Sequence, residues 1–217
     1  MLSALEDGTK PFQSIVQVRN FAESLGMTVD RWGKTDILLQ ELVEDALVRA
    51  ARELMGMMQG MVNEGHELDS AAVFEAIVKL YELQPTISMR SSNRVAMQQY
   101  STPLPMAFVA DAFVSAGNPA TVLEPTAGNG MLVFAIPAER IHANELDETR
   151  LSNLREQGYD KVTRQDATLP FEGKYDAVVM NPPFGNSAAK DYDGYSISGL
   201  DPQIAINTLE SMADNGR

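Results

Sequence analysis

Four consecutive residues, Asn181-Pro182-Pro183-Phe184, carry the most specific chemistry in this chain. They follow the apolar run Tyr175 to Met180. Two prolines after a buried strand end its ladder, because each lacks an N–H and fixes φ. A stiff strand exit alone would need neither the Asn before the prolines nor the aromatic after them. The chemistry of an exocyclic amine gives a reason for both. The amino nitrogen of a base such as adenine is a poor nucleophile, since its lone pair is delocalised into the ring. If the Asn181 side-chain oxygen and the Pro182 carbonyl accept its two N–H bonds, the nitrogen is biased towards a tetrahedral shape. Its lone pair then becomes available to an electrophilic methyl group. Phe184 offers a face for stacking, and a base in a duplex would have to leave the stack to reach it. A rigid backbone holds such acceptors in place beforehand. With an activated donor no base is needed before attack, and alignment supplies much of the rate.

Three further positions suit a cofactor. Leu123-Glu124-Pro125-Thr126-Ala127-Gly128-Asn129-Gly130 follows a short apolar strand. Its glycines remove side chains where backbone must approach a ligand. It is not GxGxxG, and in isolation a structural turn explains it equally well. Glu145 ends a second strand about 20 residues on, where an acid accepts bonds from both ribose hydroxyls of an adenosine-containing cofactor; alone it would read as a solvated acid. Asp166 follows a third strand, where a carboxylate could accept the exocyclic amine of a cofactor's adenine. By itself it would be an ordinary loop or capping Asp.

These residues need strands to present them. The strand candidates are Thr121-Leu123, Arg140-Asn144, Lys161-Arg164 and Tyr175-Met180, with a helix expected from Asp147 to Gln157, closed by Gly158. Strands alternating with helices indicate a parallel α/β sheet, and ligands bind at the carboxyl ends of such strands. Asp201 to Met212 reads as another helix. Between Gly185 and Gly199 the text is long, polar and Gly-punctuated, as expected of a mobile loop. Tyr192 or Tyr195 could stack on a flipped base there, although a plain linker fits equally.

Residues 1–90 read as helical: Ile15 to Leu25 ending at Gly26, a run from an N-cap at Thr35 or Asp36 to about Met61, and a helix after Asp69-Ser70 that stops before Pro85. The apolar positions of the long helix (Ile37, Leu38, Leu42, Leu47, Leu54, Met55, Met58 and Met61) are too spread for one stripe. More than one face should be covered, by neighbours or by a partner.

The motifs together resemble the amino-group DNA methyltransferases. Gln99-Tyr100-Ser101-Thr102-Pro103 looks like the segment that contacts the methionine end of the cofactor. Glu124, Pro125, Thr126, Ala127, Gly128 and Gly130 resemble the cofactor glycine loop. Glu145 with Leu146 matches the ribose acid, and Asp166 with Ala167 the adenine-contacting acid. Asn181 to Phe184 resembles the (D/N/S)PP(Y/F) catalytic motif, with Asn181 also at the cofactor. The motif order is similar to the gamma order of adenine-N6 enzymes. Tyr100 to Arg217 also looks like the methylase region of large phage or plasmid methylase-helicase proteins. The resemblance implies a Rossmann-like class I sheet over residues 91–217, S-adenosyl-L-methionine as cofactor, DNA as partner, and a role in restriction-modification, defence or DNA protection. The sheet is expected to stop after its fourth strand. A C-terminal remainder or a partner subunit would complete it and carry the DNA-gripping surface. Related Asn-Pro-Pro motifs also serve RNA bases and protein glutamine amides, and a non-catalytic interaction module is a third reading.

Composition sets the limits. Of 217 residues, 44% are hydrophobic and 22% charged, as in ordinary globular proteins. No run is long and apolar enough to span a bilayer, so no membrane is expected. The start, MLSALEDGTK, lacks a basic and an apolar segment, so it does not read as a secretory signal. The absence of cysteine fits the reducing cytoplasm, and two distant histidines make a metal site unexpected. The net charge is −13, shared evenly: residues 1–90 hold 8 basic and 14 acidic residues, residues 91–217 hold 9 and 16. Neither half is a basic nucleic-acid-binding module by composition, which again assigns the DNA grip to a region outside this chain.

Overall fold

A computed structural model describes residues 9–30, 33–86 and 101–217. Four parallel strands form the central sheet: β1 (Val122–Glu124), β2 (Ile141–Asn144), β3 (Lys161–Thr163) and β4 (Ala177–Val178), in the order β3-β2-β1-β4. The chain is thus an α/β protein with a Rossmann-like sheet. Every residue of β1 and β2 is buried, as expected of parallel strands covered on both faces. Successive side chains point to opposite faces, and β1 shows it. Val122 joins a core with Leu47, Ile77, Leu104 and Leu154, whereas Leu123 joins Ala167, Phe171, Tyr175 and Ile204 on the other side.

The described residues hold six α-helices: α1 (Ile15–Ser24), α2 (Lys34–Asn63), α3 (Ser70–Glu82), α4 (Leu104–Ser115), α5 (Glu148–Glu156) and α6 (Leu200–Glu210). The Asp147 carboxylate caps α5 by accepting from the N–H groups of Thr149 and Arg150 (2.9 and 3.1 Å). The helix stops at Gly158, whose φ of 75° suits a C-terminal turn. Ile15, Val18 and Ala22 of α1 pack with Leu39 of α2 in a small cluster of their own, whereas the rest of α2 and α3 packs on the sheet. Leu47, Val48, Ala51 and Leu54 of α2 and Ile77 and Leu80 of α3 share one continuous core with Val122, Val133 and Ile141.

Four expectations change. The long helix starts two to three residues early, with Gly33 at its N-cap. The carboxylate of Asp30 accepts from Lys34 and Thr35 N–H (3.1 and 2.8 Å), so neither Thr35 nor Asp36 is needed as cap. Asp36 instead turns inward to pair with Arg19 of α1 (2.6 Å). The breadth of apolar residues on α2 is only partly covered: Leu38, Leu42, Met57 and Met61 remain exposed.

The segment after the Pro-Pro motif is a hairpin rather than a loop, with β5 (Asn186–Tyr192) antiparallel to β6 (Tyr195–Gly199). Asp193 and Gly194 turn it with φ of 52° and 87°, the left-handed pair that a two-residue hairpin demands. Side chains of α6 hold it down. Gln203 Nε2 donates to the carbonyls of Ala188 (2.9 Å) and Ile197 (2.7 Å), and Asn207 Nδ2 to the hydroxyl of Tyr192 (3.2 Å). Lys190 Nζ donates to the carbonyl of Thr168 (2.8 Å). Tyr192 is thereby committed to α6, whereas Tyr195 stays 74% exposed. The outer edge of β4, expected to lie open, is engaged by residues 211–217. Tyr175 and Val178 donate to the carbonyls of Ser211 and Arg217, and Ala213 and Arg217 donate back to those of Tyr175 and Asp176.

Candidate functional site

The carboxyl ends of all four strands open on one pocket. Glu124 closes β1, is 1% exposed, and accepts from the Thr126 N–H (3.0 Å) and hydroxyl (3.3 Å). No cation pairs with it among the described residues. Burial pushes its pKa up to about 8, and the nearby Glu145 charge adds to that against the pull of the Thr126 bonds. Glu145, just past β2, accepts from the N–H of Gly128 (2.8 Å) and that of Asp147 (2.8 Å). One carboxylate thus joins the glycine loop to the start of α5. Its pKa is raised by burial, against those backbone bonds and the charge of Arg150. Gly128, at φ 58°, is in the left-handed region that lets its N–H face Glu145.

Asn144 clasps the loops on either side. Its Nδ2 donates to the carbonyls of Pro125 (2.9 Å) and Gln165 (3.0 Å), and its Oδ1 accepts from the Thr163 hydroxyl and the Gln165 N–H (2.9 Å each). Asp166 follows Gln165 and accepts from the Thr168 N–H (2.9 Å), so its second oxygen is available to a ligand. Asn181 lies beyond β4, exposed to solvent. Its Nδ2 donates to the hydroxyl of Thr102 (3.1 Å). That fixes the amide with Oδ1 free to accept.

Most of the residues singled out in the sequence meet here. Thr102, Glu124, Pro125, Thr126, Ala127, Gly128, Glu145, Leu146, Asp166, Ala167, Asn181 and Pro183 all line the pocket. Tyr100 lies outside the described residues. Four others do not line the pocket. Pro103 is the N-cap of α4. Pro182 is half-buried and Phe184 is 57% exposed, and neither lines the pocket. Gly130 sits beneath Tyr159: with φ 89°, a Cβ there would collide with the Tyr159 hydroxyl. Its part is to close the loop onto α5. Gly130→Ala is therefore expected to lower stability by about 2 kcal/mol or more, through left-handed strain and overpacking together; a thermal melt with an unshifted midpoint would contradict this.

The lining also includes residues that motif spacing did not single out, among them Asn129, Asn144, Arg150 and Gln165. Asn144 carries a weak signal, as a polar residue in an otherwise apolar strand next to the acid. Arg150 carries none, because its partner Glu41 lies 109 residues away.

No protein-family model matches the chain, and no curated protein matches it. Solved structures with similar folds include a candidate RNA methyltransferase from Pyrococcus horikoshii (24% identity, TM-score 0.42, covering 54% of this chain and 59% of that one). TrmN from Thermus thermophilus aligns at 19% identity and TM-score 0.39, over 77% of this chain and 64% of its own. The glycopeptide N-methyltransferase MtfA in complex with S-adenosyl-L-methionine aligns at 18% and 0.36, over 51% and 47%. The chain spans less than two thirds of the length of each. Among the described residues, no helix is long and apolar enough to cross a membrane.

Proposed function

We propose that this chain holds the cofactor and acceptor pockets of an S-adenosylmethionine-dependent methyltransferase acting on the N6 amino group of adenine in DNA. The observation that carries the reading is the Asn181 amide. It is oriented by Thr102 with its oxygen free, on the rim of a pocket that also holds two buried carboxylates. The donor set fits the cofactor. Glu124, a buried acid that no cation pairs with among the described residues, receives the methionine ammonium. Glu145 keeps lone pairs for the ribose hydroxyls, and the free oxygen of Asp166 takes the adenine amine. When bound, S-adenosylmethionine supplies a methyl group on a sulfonium. Asn181 Oδ1 and the Pro182 carbonyl then hold the acceptor amine in line, and exposed Phe184 stacks on its ring. A net charge of −13 counts against any phosphate backbone and so favours a second reading of the same pocket, in which the acceptor is a protein glutamine amide.

Incubation with methyl-labelled S-adenosylmethionine and DNA, RNA or protein separates these. The expected product is N6-methyladenine in DNA. Label in RNA or protein would replace the acceptor. Cofactor binding with no transfer to any of them would leave only a binding module.

Glu124 also sets an expected pH dependence. Its carboxyl, pushed to about 8 in the cofactor-free protein, must lose a proton to receive an ammonium. Affinity should therefore be full above pH 8 and fall about tenfold per unit below it, with close to one proton released per cofactor at pH 7. Calorimetry in buffers of different ionisation enthalpy reads that proton. A pH-independent affinity with no proton release would remove Glu124 from the role.

A further inference from the structure

The pocket has a support that neither the motifs nor the proposed chemistry uses. Helix α2, in the N-terminal part of the chain, sends two carboxylates to the glycine loop. Glu41, 3% exposed, accepts from Asn129 Nδ2 (2.8 Å) and from Arg150 Nε and Nη2 (2.8 and 3.3 Å). Glu44 accepts from the same Asn129 amide (3.0 Å) and from the Ser101 hydroxyl. Asn129 is 1% exposed, and its Oδ1 accepts from Asn153 of α5 (2.8 Å). The only side chain between Gly128 and Gly130 is therefore held from two helices at once, and Arg150 and Asn129 both line the pocket.

Burying carboxylates beside a sheet is costly unless they are paired and hydrogen-bonded. Elsewhere this contact has an aliphatic core of Leu47, Val48, Ala51 and Leu54 and further polar ties from Asp45 to Gln157 and from Arg49 to Glu156, so adhesion alone does not require Glu41. A loop with two left-handed glycines does require an external tie, because glycine backbone is otherwise free to leave that conformation. We infer that Glu41, with Glu44, is a positioning residue: through Asn129 and Arg150, α2 fixes the glycine loop in its cofactor-receiving conformation. The chemistry of the ligand rests on the cofactor reading above; the tie itself does not.

The test compares three variants of the full chain. Glu41→Gln removes the buried charge. Asn129→Ala keeps the Glu41–Arg150 pair and cuts the loop's side-chain ties to α2 and to Asn153. Asp36→Asn is the control. It breaks the other buried pair of α2, Arg19–Asp36 (2.6 Å, with side chains 8% and 0% exposed), which does not touch the pocket. Loop amides 126–130 are followed by hydrogen exchange, and affinity for S-adenosylhomocysteine by calorimetry. Glu41→Gln and Asn129→Ala should each speed exchange in this loop and weaken affinity about tenfold or more. Asp36→Asn should lose stability yet leave both readouts within about twofold. The inference is overturned if Glu41→Gln and Asn129→Ala leave loop exchange unchanged, or if Asp36→Asn moves it equally. If the unmutated protein binds no cofactor, the cofactor reading fails, and exchange still decides the tie.

Discussion

Asn181→Ala is expected to reduce methyl transfer by about a hundredfold or more while leaving cofactor affinity within about twofold. The size follows from what the side chain does. An acceptor aimed at charge that develops on the amine is worth about as much as a donor in an oxyanion hole, where losing one group costs ~10²–10³ in rate. Alanine also removes the bond to Thr102, but Thr102 belongs to an exposed rim and the sheet does not depend on it. Asn181→Asp sharpens the test. The carboxylate keeps an oxygen for the amine, and the Thr102 hydroxyl can turn to donate to it, so measurable activity should survive. If alanine and aspartate are equally inactive and both lose cofactor, Asn181 is a cofactor ligand and not the acceptor of the amine. Thr102→Val extends the argument. It should lower the rate by roughly tenfold with unchanged cofactor affinity, since it frees the Asn181 amide without removing it.

Glu145→Ala should do the reverse. The carboxylate accepts from Gly128 and Asp147 and is assigned the ribose hydroxyls. Hydrogen bonds to a charged acceptor contribute about 1.5–3 kcal/mol each, so losing those to the ribose weakens cofactor binding by at least ~100-fold. The released Gly128 N–H adds to that by loosening the loop. At saturating cofactor the transfer rate should recover to near its original value, because no part of Glu145 is directed at the acceptor. Glu145→Gln, which keeps one accepting oxygen, should fall between the two. An alanine variant that binds cofactor normally, or whose rate stays low at saturation, would take Glu145 out of its assigned place.

Much of this site was legible in the sequence because its determinants are local. Short apolar runs ending in Glu124, in Asn144-Glu145, and in the Met180-Asn181 junction mark where strands stop, and the first and last chemical groups sit at those stops. The capping Asp147 and Gly158 bounded α5 in the same way. What escaped depends on partners distant in the chain. The hairpin after Phe184 has polar residues on both faces and no alternation, and its stability comes from Gln203 and Asn207 of α6. The one local sign was Asp193-Gly194, which the flanking polar text obscured. The cap of α2 was missed because Asp30 supplies it from four and five residues before the amides it receives. The N-terminal helices carried no recognisable motif, yet Glu41 reaches Arg150 across 109 residues. Gly130 matched the loop pattern, although its own constraint is the hydroxyl of Tyr159.

The central claim is one pocket with two separable halves, a cofactor side built on Glu124 and Glu145 and an acceptor side built on Asn181. Isothermal titration of the full chain with S-adenosylhomocysteine tests it most directly when run beside Glu145→Ala and Asn181→Ala. Saturable binding at one site is expected for the unmutated protein, retained in Asn181→Ala and lost or weakened at least ~100-fold in Glu145→Ala. Absence of binding in the unmutated protein, or equal affinity in Glu145→Ala, would contradict it.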